Sequence, residues 1–178
     1  MGNGFIDVIK GNEGEIKTVY DETSPSGASA QAVQQRGVDS TSVLSRVQKA
    51  RLVLDLARRQ GSVVVMTGKR DFVSDGELVV TVDNGHEYLG MVTGTGCVLA
   101  TTVSAMVAVS PKEDRLLAVL AGILLFEIAA EVAAARPEVR GPGTFVPAFV
   151  DELARLRRLT AKGDVEWMGR AKVKKVFH

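Results

Sequence analysis

Residues 62–67 read "SVVVMT", three valines and a methionine with no polar interruption. A strand with one wet face alternates apolar and polar residues. An unbroken apolar run of this length is the pattern of a strand covered on both faces. Helices must do the covering, and one precedes the run directly. Val43, Val47, Ala50, Leu54 and Ala57 recur at helical spacing, Arg51, Arg58 and Arg59 lie off that stripe, and Gly61 stops it. A helix feeding a doubly buried strand belongs to an α/β fold with parallel strands.

The remaining elements fit that class. "FIDVI", Phe5 to Ile9, is a strand that "KGN" ends in a loop, and its apolar, β-branched character predicts a parallel neighbour, or near neighbour, of 62–67. "EGEIKTVY" is a brief helix, and "DETSPSGASAQAVQQRG" is a polar surface insertion. "GVDST" then offers helix caps, and capping accounts for Asp39 without a catalytic role. "DFVSDGELVVTVDNG" forms a hairpin about Asp75-Gly76. The Gly94-Thr95-Gly96 loop opens a helix to about Val109, Pro111 breaks it, and a second helix spans about Glu113 to Ala135. "RPEVRGPGTF" is a loop, Pro147 to Leu156 a final helix, and "RAKVKKVFH" a solvated, frayed end.

Composition excludes several function classes. The 178 residues make one domain, and 22 basic against 21 acidic residues leave no broad footprint for nucleic acid. One cysteine forms no internal disulfide, which fits a reducing, cytoplasmic setting. With only His86 and His178 beside it, no cysteine-rich zinc site arises. The first residues lack a secretory pattern, and Ile6 stands where a myristoylation motif needs Ser or Thr. The apolar run from Leu116 ends at Phe126, short of a membrane span, and Glu127 and Glu131 follow one turn apart as on a partly solvated face. That segment reads as a core helix, with no membrane partner.

The chemistry concentrates in "GMVTGTGCVLATTVSAM", residues 90–106. A helix N-terminus has unpaired N–H groups and partial positive charge, so it attracts anions. Gly94 and Gly96 let backbone approach a phosphate, because no Cβ intervenes. Neither the Walker pattern nor the dinucleotide G-x-G-x-x-G is present. The same field favours the thiolate of a cysteine in a first helical turn, which makes Cys97 a candidate reactive group; packing as a small buried hydrophobe is the competing account.

"VIKGNEGEI", "GVDS", "VVVMTGKRDFVSDG", "NGHEYLG", "VTGTGC" and "GPGTF" all occur here. Together they resemble hydroxyethylthiazole kinase, of the ribokinase-like superfamily, and are most similar to the kinase domain of the fungal bifunctional thiamine-biosynthesis proteins. The resemblance implies a mostly parallel sheet flanked by helices. It also implies transfer of the ATP γ-phosphate to the hydroxyl of 4-methyl-5-(2-hydroxyethyl)thiazole, a step of thiamine biosynthesis. It assigns Cys97 as proton acceptor and Gly94, Thr95 and Gly96 as the anion hole. Lys10, Asn12 and Thr67 fall to ATP, and Glu15, through water, to Mg²⁺. Lys10 stands where bacterial relatives more often carry arginine; a lysine still neutralises phosphate charge but lacks arginine's bidentate fork.

A complete thiazole kinase has further strands and helices before the position of Met1. On the resemblance, residues 1–157 are therefore an incomplete C-terminal portion of the kinase domain, with impaired turnover, and 158–178 a basic tail. Relatives imply a homotrimer. Two alternatives stay open at this point. Hydroxymethylpyrimidine or pyridoxal kinases share Gly-Thr-Gly-Cys in some cases, but usually show a "PN" loop and a histidine before the turn, where this chain has "KGNEGE" and "VTGTGC". The other is a non-catalytic nucleotide-binding remnant.

Overall fold

The computed structural model describes residues 6–23 and 44–177. The Phe5 start of the first strand, most of the polar insertion, Val43, and the "GVDST" caps with Asp39 lie outside them. The chain divides into two compact units, Met1–Val80 with Lys175–His178, and Thr81–Lys174.

In the first unit, β1 (Val8–Asn12) leads directly into α1 (Glu13–Glu22). The "KGN" expected to be loop is strand, because the ladder to β2 (Val63–Thr67) continues through it. The two strands are parallel, with Val8 opposite Val63 and Asn12 opposite Thr67. Between them runs α2 (Arg46–Gln60), capped by the hydroxyl of Ser45 and ended by Gly61 at φ 64°. Its buried face is Ala50, Val53, Leu54, Leu56 and Ala57, while Val47 is 54% exposed. Val47, one position after the first helical residue, falls beyond the edge of that packed face. Ile16, Val64, Met66, Phe72 and Val79 complete the core.

β3 (Asp71–Ser74) returns antiparallel to β2, with Val65 opposite Val73. A connection of only three residues, 68–70, is too short for a parallel crossover, so the sheet of this α/β fold is mixed, with β1–β2 parallel and β2–β3 antiparallel. In that turn the Gly68 N–H donates to Asp71 Oδ1 at 3.0 Å. β4 (Val79–Val82) follows, after a turn in which Asp75 Oδ1 accepts the N–H groups of Glu77 and Leu78 and Gly76 sits at φ 94°. The strands of the described residues lie in the order β1-β2-β3-β4-β5.

The second unit holds α3 (Tyr88–Met91), α4 (Thr95–Val109), α5 (Arg115–Ala134) and α6 (Pro142–Ala161). The short α3 has no strong sequence signal and was not expected. α5 packs against both α4 and α6. Gly122 permits the first contact, since a Cβ there would stand 2.9 Å from Val103 Cα. By length and composition alone, 112–134 would suffice to cross a membrane, yet most of its apolar stretch is buried inside the protein.

Three expectations change here. α6 begins at Pro142 rather than Pro147, with Pro147 inside it. Gly141 followed by a proline at the first position is a favourable start, and the Arg140 N–H donates to Thr144 Oγ1 at 2.8 Å. Phe145 and Phe149, stacked at 5.4 Å, then anchor the early turns in the core. Glu127 and Glu131 do not line a solvated face. Glu127 is buried, and Glu131 Oε1 receives Asn84 Nδ2, the Gly85 N–H and Lys172 Nζ at 3.1, 3.1 and 2.9 Å. Nor is the basic C-terminal segment frayed. Trp167 is buried, and Val173–Phe177 form β5, held at its approach by the Lys172 N–H donating to Asn84 Oδ1 at 2.7 Å.

Candidate functional site

In the first unit the carboxyl ends of two parallel strands lie side by side, which is where open α/β sheets bind ligands. Asn12 ends β1 and Thr67 ends β2, directly opposite each other. Strand alternation sets Lys10 on the same face of β1 as Asn12, and Glu15 lies in the first turn of α1. All four expected nucleotide or metal residues of this unit are therefore close in the fold.

Each of three has a structural task as well. Asn12 Oδ1 accepts the Glu15 N–H at 3.0 Å, and Glu15 Oε2 accepts the Asn12 N–H at 2.7 Å. This is a reciprocal capping box, and N-x-x-E is its spacing in sequence as much as that of a phosphate motif. Thr67 Oγ1 donates to the Gly11 carbonyl at 3.3 Å. Gly11 allows the tight passage from strand to helix, since a Cβ there would sit 2.8 Å from Glu15 Cβ.

Among the described residues no group of three or more His, Cys, Asp or Glu is arranged to hold a metal. Mg²⁺ commonly binds through one or two carboxylates plus substrate phosphates and keeps several waters. The single exposed carboxylate of Glu15 suits an ion brought by a nucleotide and does not suit a site made by protein alone.

In the second unit Gly94 caps α4 at φ 99°, a conformation open to glycine at no steric cost. Its carbonyl accepts the N–H groups of both Cys97 and Val98 at 3.0 Å. The amides of Thr95 and Gly96, the first two helical residues, have no intrahelical acceptor. Cys97 occupies the third helical position and is exposed. Packing as a buried hydrophobe therefore does not account for it.

Thr95 carries a feature that glycine-loop reasoning missed. Its hydroxyl bonds to the carbonyls of Leu89 and Val92 at 2.8 and 3.1 Å. His86 is a packing residue: its Nδ1 accepts the Tyr88 N–H at 3.2 Å, and its ring contacts Tyr88 at 4.5 Å between centroids.

Comparison with known proteins bears on these arrangements. The model of the hydroxyethylthiazole kinase family matches residues 2–158. The chain is 40% identical to the hydroxyethylthiazole kinase of Pyrococcus furiosus, over 95% of this chain and 57% of that protein. It is 37% identical to the "Probable thiamine biosynthetic bifunctional enzyme" of Schizosaccharomyces pombe, over 98% of this chain and 33% of that protein. The solved hydroxyethylthiazole kinase protein of Pyrococcus horikoshii OT3 superposes with a TM-score of 0.72 at 33% identity, covering 97% of this chain and 56% of the other. The chain thus spans little more than half of these archaeal kinases and a third of the fungal protein. Its fold, its glycine turn and the family match agree: the chain belongs to the hydroxyethylthiazole kinase family.

Proposed function

We propose that these residues form the phosphoryl-transfer portion of a kinase that moves the γ-phosphate of ATP to the hydroxyl of 4-methyl-5-(2-hydroxyethyl)thiazole. The observation that carries this reading is an exposed cysteine in the first turn of a glycine-capped helix, in a chain matched to that family over residues 2–158.

Cys97 accepts the proton of the thiazole alcohol while the alcohol oxygen attacks the γ-phosphorus and the bond to the ADP oxygen breaks. Phosphoryl transfer depends chiefly on positioning and charge stabilisation, so a modest base suffices. The Thr95 and Gly96 amides stabilise charge on the transferring group, and Gly94 keeps the approach open. Lys10, Asn12 and Thr67 hold ATP. Glu15 would hold a magnesium ion through water, and that ion would neutralise phosphate charge.

The family match favours thiazole over a hydroxymethylpyrimidine or pyridoxal substrate. We further propose a cytoplasmic homotrimer, checked by sedimentation equilibrium. The substrate test uses a chimera in which this chain replaces the matching portion of the Pyrococcus furiosus kinase, incubated with radiolabelled ATP. Label should pass to hydroxyethylthiazole in preference to hydroxymethylpyrimidine. A chimera that folds and binds MgATP, yet transfers no phosphate to the thiazole, contradicts the proposal and favours a nucleotide-binding remnant.

A further inference from the structure

We infer that the Thr95 side chain is a positioning residue for the Gly94–Cys97 turn, separate from its backbone N–H. The inference rests on the anion-binding reading of that turn and deepens it.

A helix start is usually fixed by a cap side chain that bonds the second or third amide. Gly94 has no side chain to do this, and α4 has no side-chain cap bond. Glycine's conformational freedom, which permits the turn, also leaves it poorly determined. The Thr95 hydroxyl supplies the missing constraint from the first helical position. It donates to Leu89 at 2.8 Å and to Val92 at 3.1 Å, in a bifurcated bond. Both carbonyls lie at the end of α3, Leu89 within its single turn and Val92 at its C-cap. Carbonyls at a helix end lack intrahelical donors, so one hydroxyl satisfies them while joining the end of α3 to the start of α4. Residues 92–94 are closed into a short loop, and the Thr95 and Gly96 amides and the Cys97 thiol take a fixed place beyond it. β-Branching adds stiffness, since Thr in a helix has few χ1 options and one of them is committed here.

The test uses the whole chain and its single cysteine, which makes alkylation report on this turn alone. The rate with the anion iodoacetate is divided by the rate with neutral iodoacetamide, so that exposure cancels and attraction of an anion remains. In the folded wild-type chain this ratio should exceed that of the chain in urea by roughly twofold to fivefold, the range for an exposed charge at a helix N-terminus. Thr95→Val, which keeps shape and loses the hydroxyl, should bring the ratio to the urea value. Thr95→Ser, which keeps the hydroxyl, should retain the wild-type ratio. A wild-type ratio equal to that in urea overturns the anion-turn reading itself. A raised wild-type ratio that persists in folded Thr95→Val overturns only the role of Thr95, and so does its loss in folded Thr95→Ser.

Discussion

Glu15→Gln separates the two tasks that meet at the start of α1. The carboxylate accepts the Asn12 N–H at 2.7 Å as half of a capping box, and that bond needs an oxygen rather than a charge. Glutamine keeps the oxygen, so the stability cost should be limited to the lost charge at the helix N-terminus, about 0.3–1 kcal/mol. Glu15→Ala removes the bond as well and should cost more, about 1 kcal/mol and up to ~2. The proposed magnesium role depends instead on the negative charge. A charge-assisted bond contributes about 1.5–3 kcal/mol, so Glu15→Gln should weaken MgATP binding roughly tenfold to a hundredfold while ATP in EDTA binds as before. Urea unfolding reads the first quantity and calorimetric titration the second. Unchanged MgATP affinity in a folded Glu15→Gln chain would refute the reasoning and leave Glu15 as a helix cap alone.

Three further outcomes follow from the packing. Burial raises the Glu13 carboxyl pKa, but the Lys49 hydrogen bond, the Leu44 N–H and the Lys49 charge together outweigh it and hold the group below its ordinary 4.5. Its stabilising effect is thus present above pH 4.5 and lost as pH falls through the lowered value; Glu13→Gln should cost about 0.5 kcal/mol at pH 7, with the difference closing in acid, as urea melts at both pH values will show. Gly122→Val forces a Cβ to within about 2.9 Å of Val103 Cα, so it should destabilise by about 2 kcal/mol and lower Tm by roughly 4–8 °C; an unchanged Tm contradicts the close approach. Asn84 is buried and bonds Glu131, the Arg170 carbonyl and the Lys172 N–H. Asn84→Ala should therefore cost about 1–3 kcal/mol and speed hydrogen exchange at the Lys172 amide, and unaltered exchange there refutes the clamp.

The elements legible in the sequence were those with strong local period. "SVVVMT" announced its doubly buried strand, and the glycine stop of α2 stands where the sequence put it. The helix after Gly94 also starts and ends as read. Long-range packing decided what local pattern left ambiguous. Lys10, Gly11 and Asn12 look like turn residues, yet they extend β1 because β2 supplies ladder partners. Pro147 looks like a helix start, yet Phe145, two residues earlier, already lies in the core. The basic segment looks frayed, yet it is an ordered strand, tied through Lys172 to Asn84 and Glu131, residues far apart in the chain. At the candidate site, Cys97 and its glycines were visible as a motif. The Thr95 hydroxyl was not, because its partners are carbonyls whose positions only the fold defines. Asn12 and Glu15 carried an ambiguity of another kind: one spacing serves both a helix cap and a phosphate motif.

The central claim concerns what the exposed thiol of Cys97 does. The most direct measurement is single-turnover phosphorylation of hydroxyethylthiazole by the Pyrococcus furiosus chimera carrying this chain, with cysteine, alanine or aspartate at position 97. Removal of a proton acceptor should lower the chemical rate about 10²–10⁴-fold in Cys97→Ala, with MgATP affinity preserved because the amides of the turn remain. Cys97→Asp should retain the reaction, since a carboxylate can accept the same proton. Equal chemical rates for the cysteine and alanine forms would contradict the account.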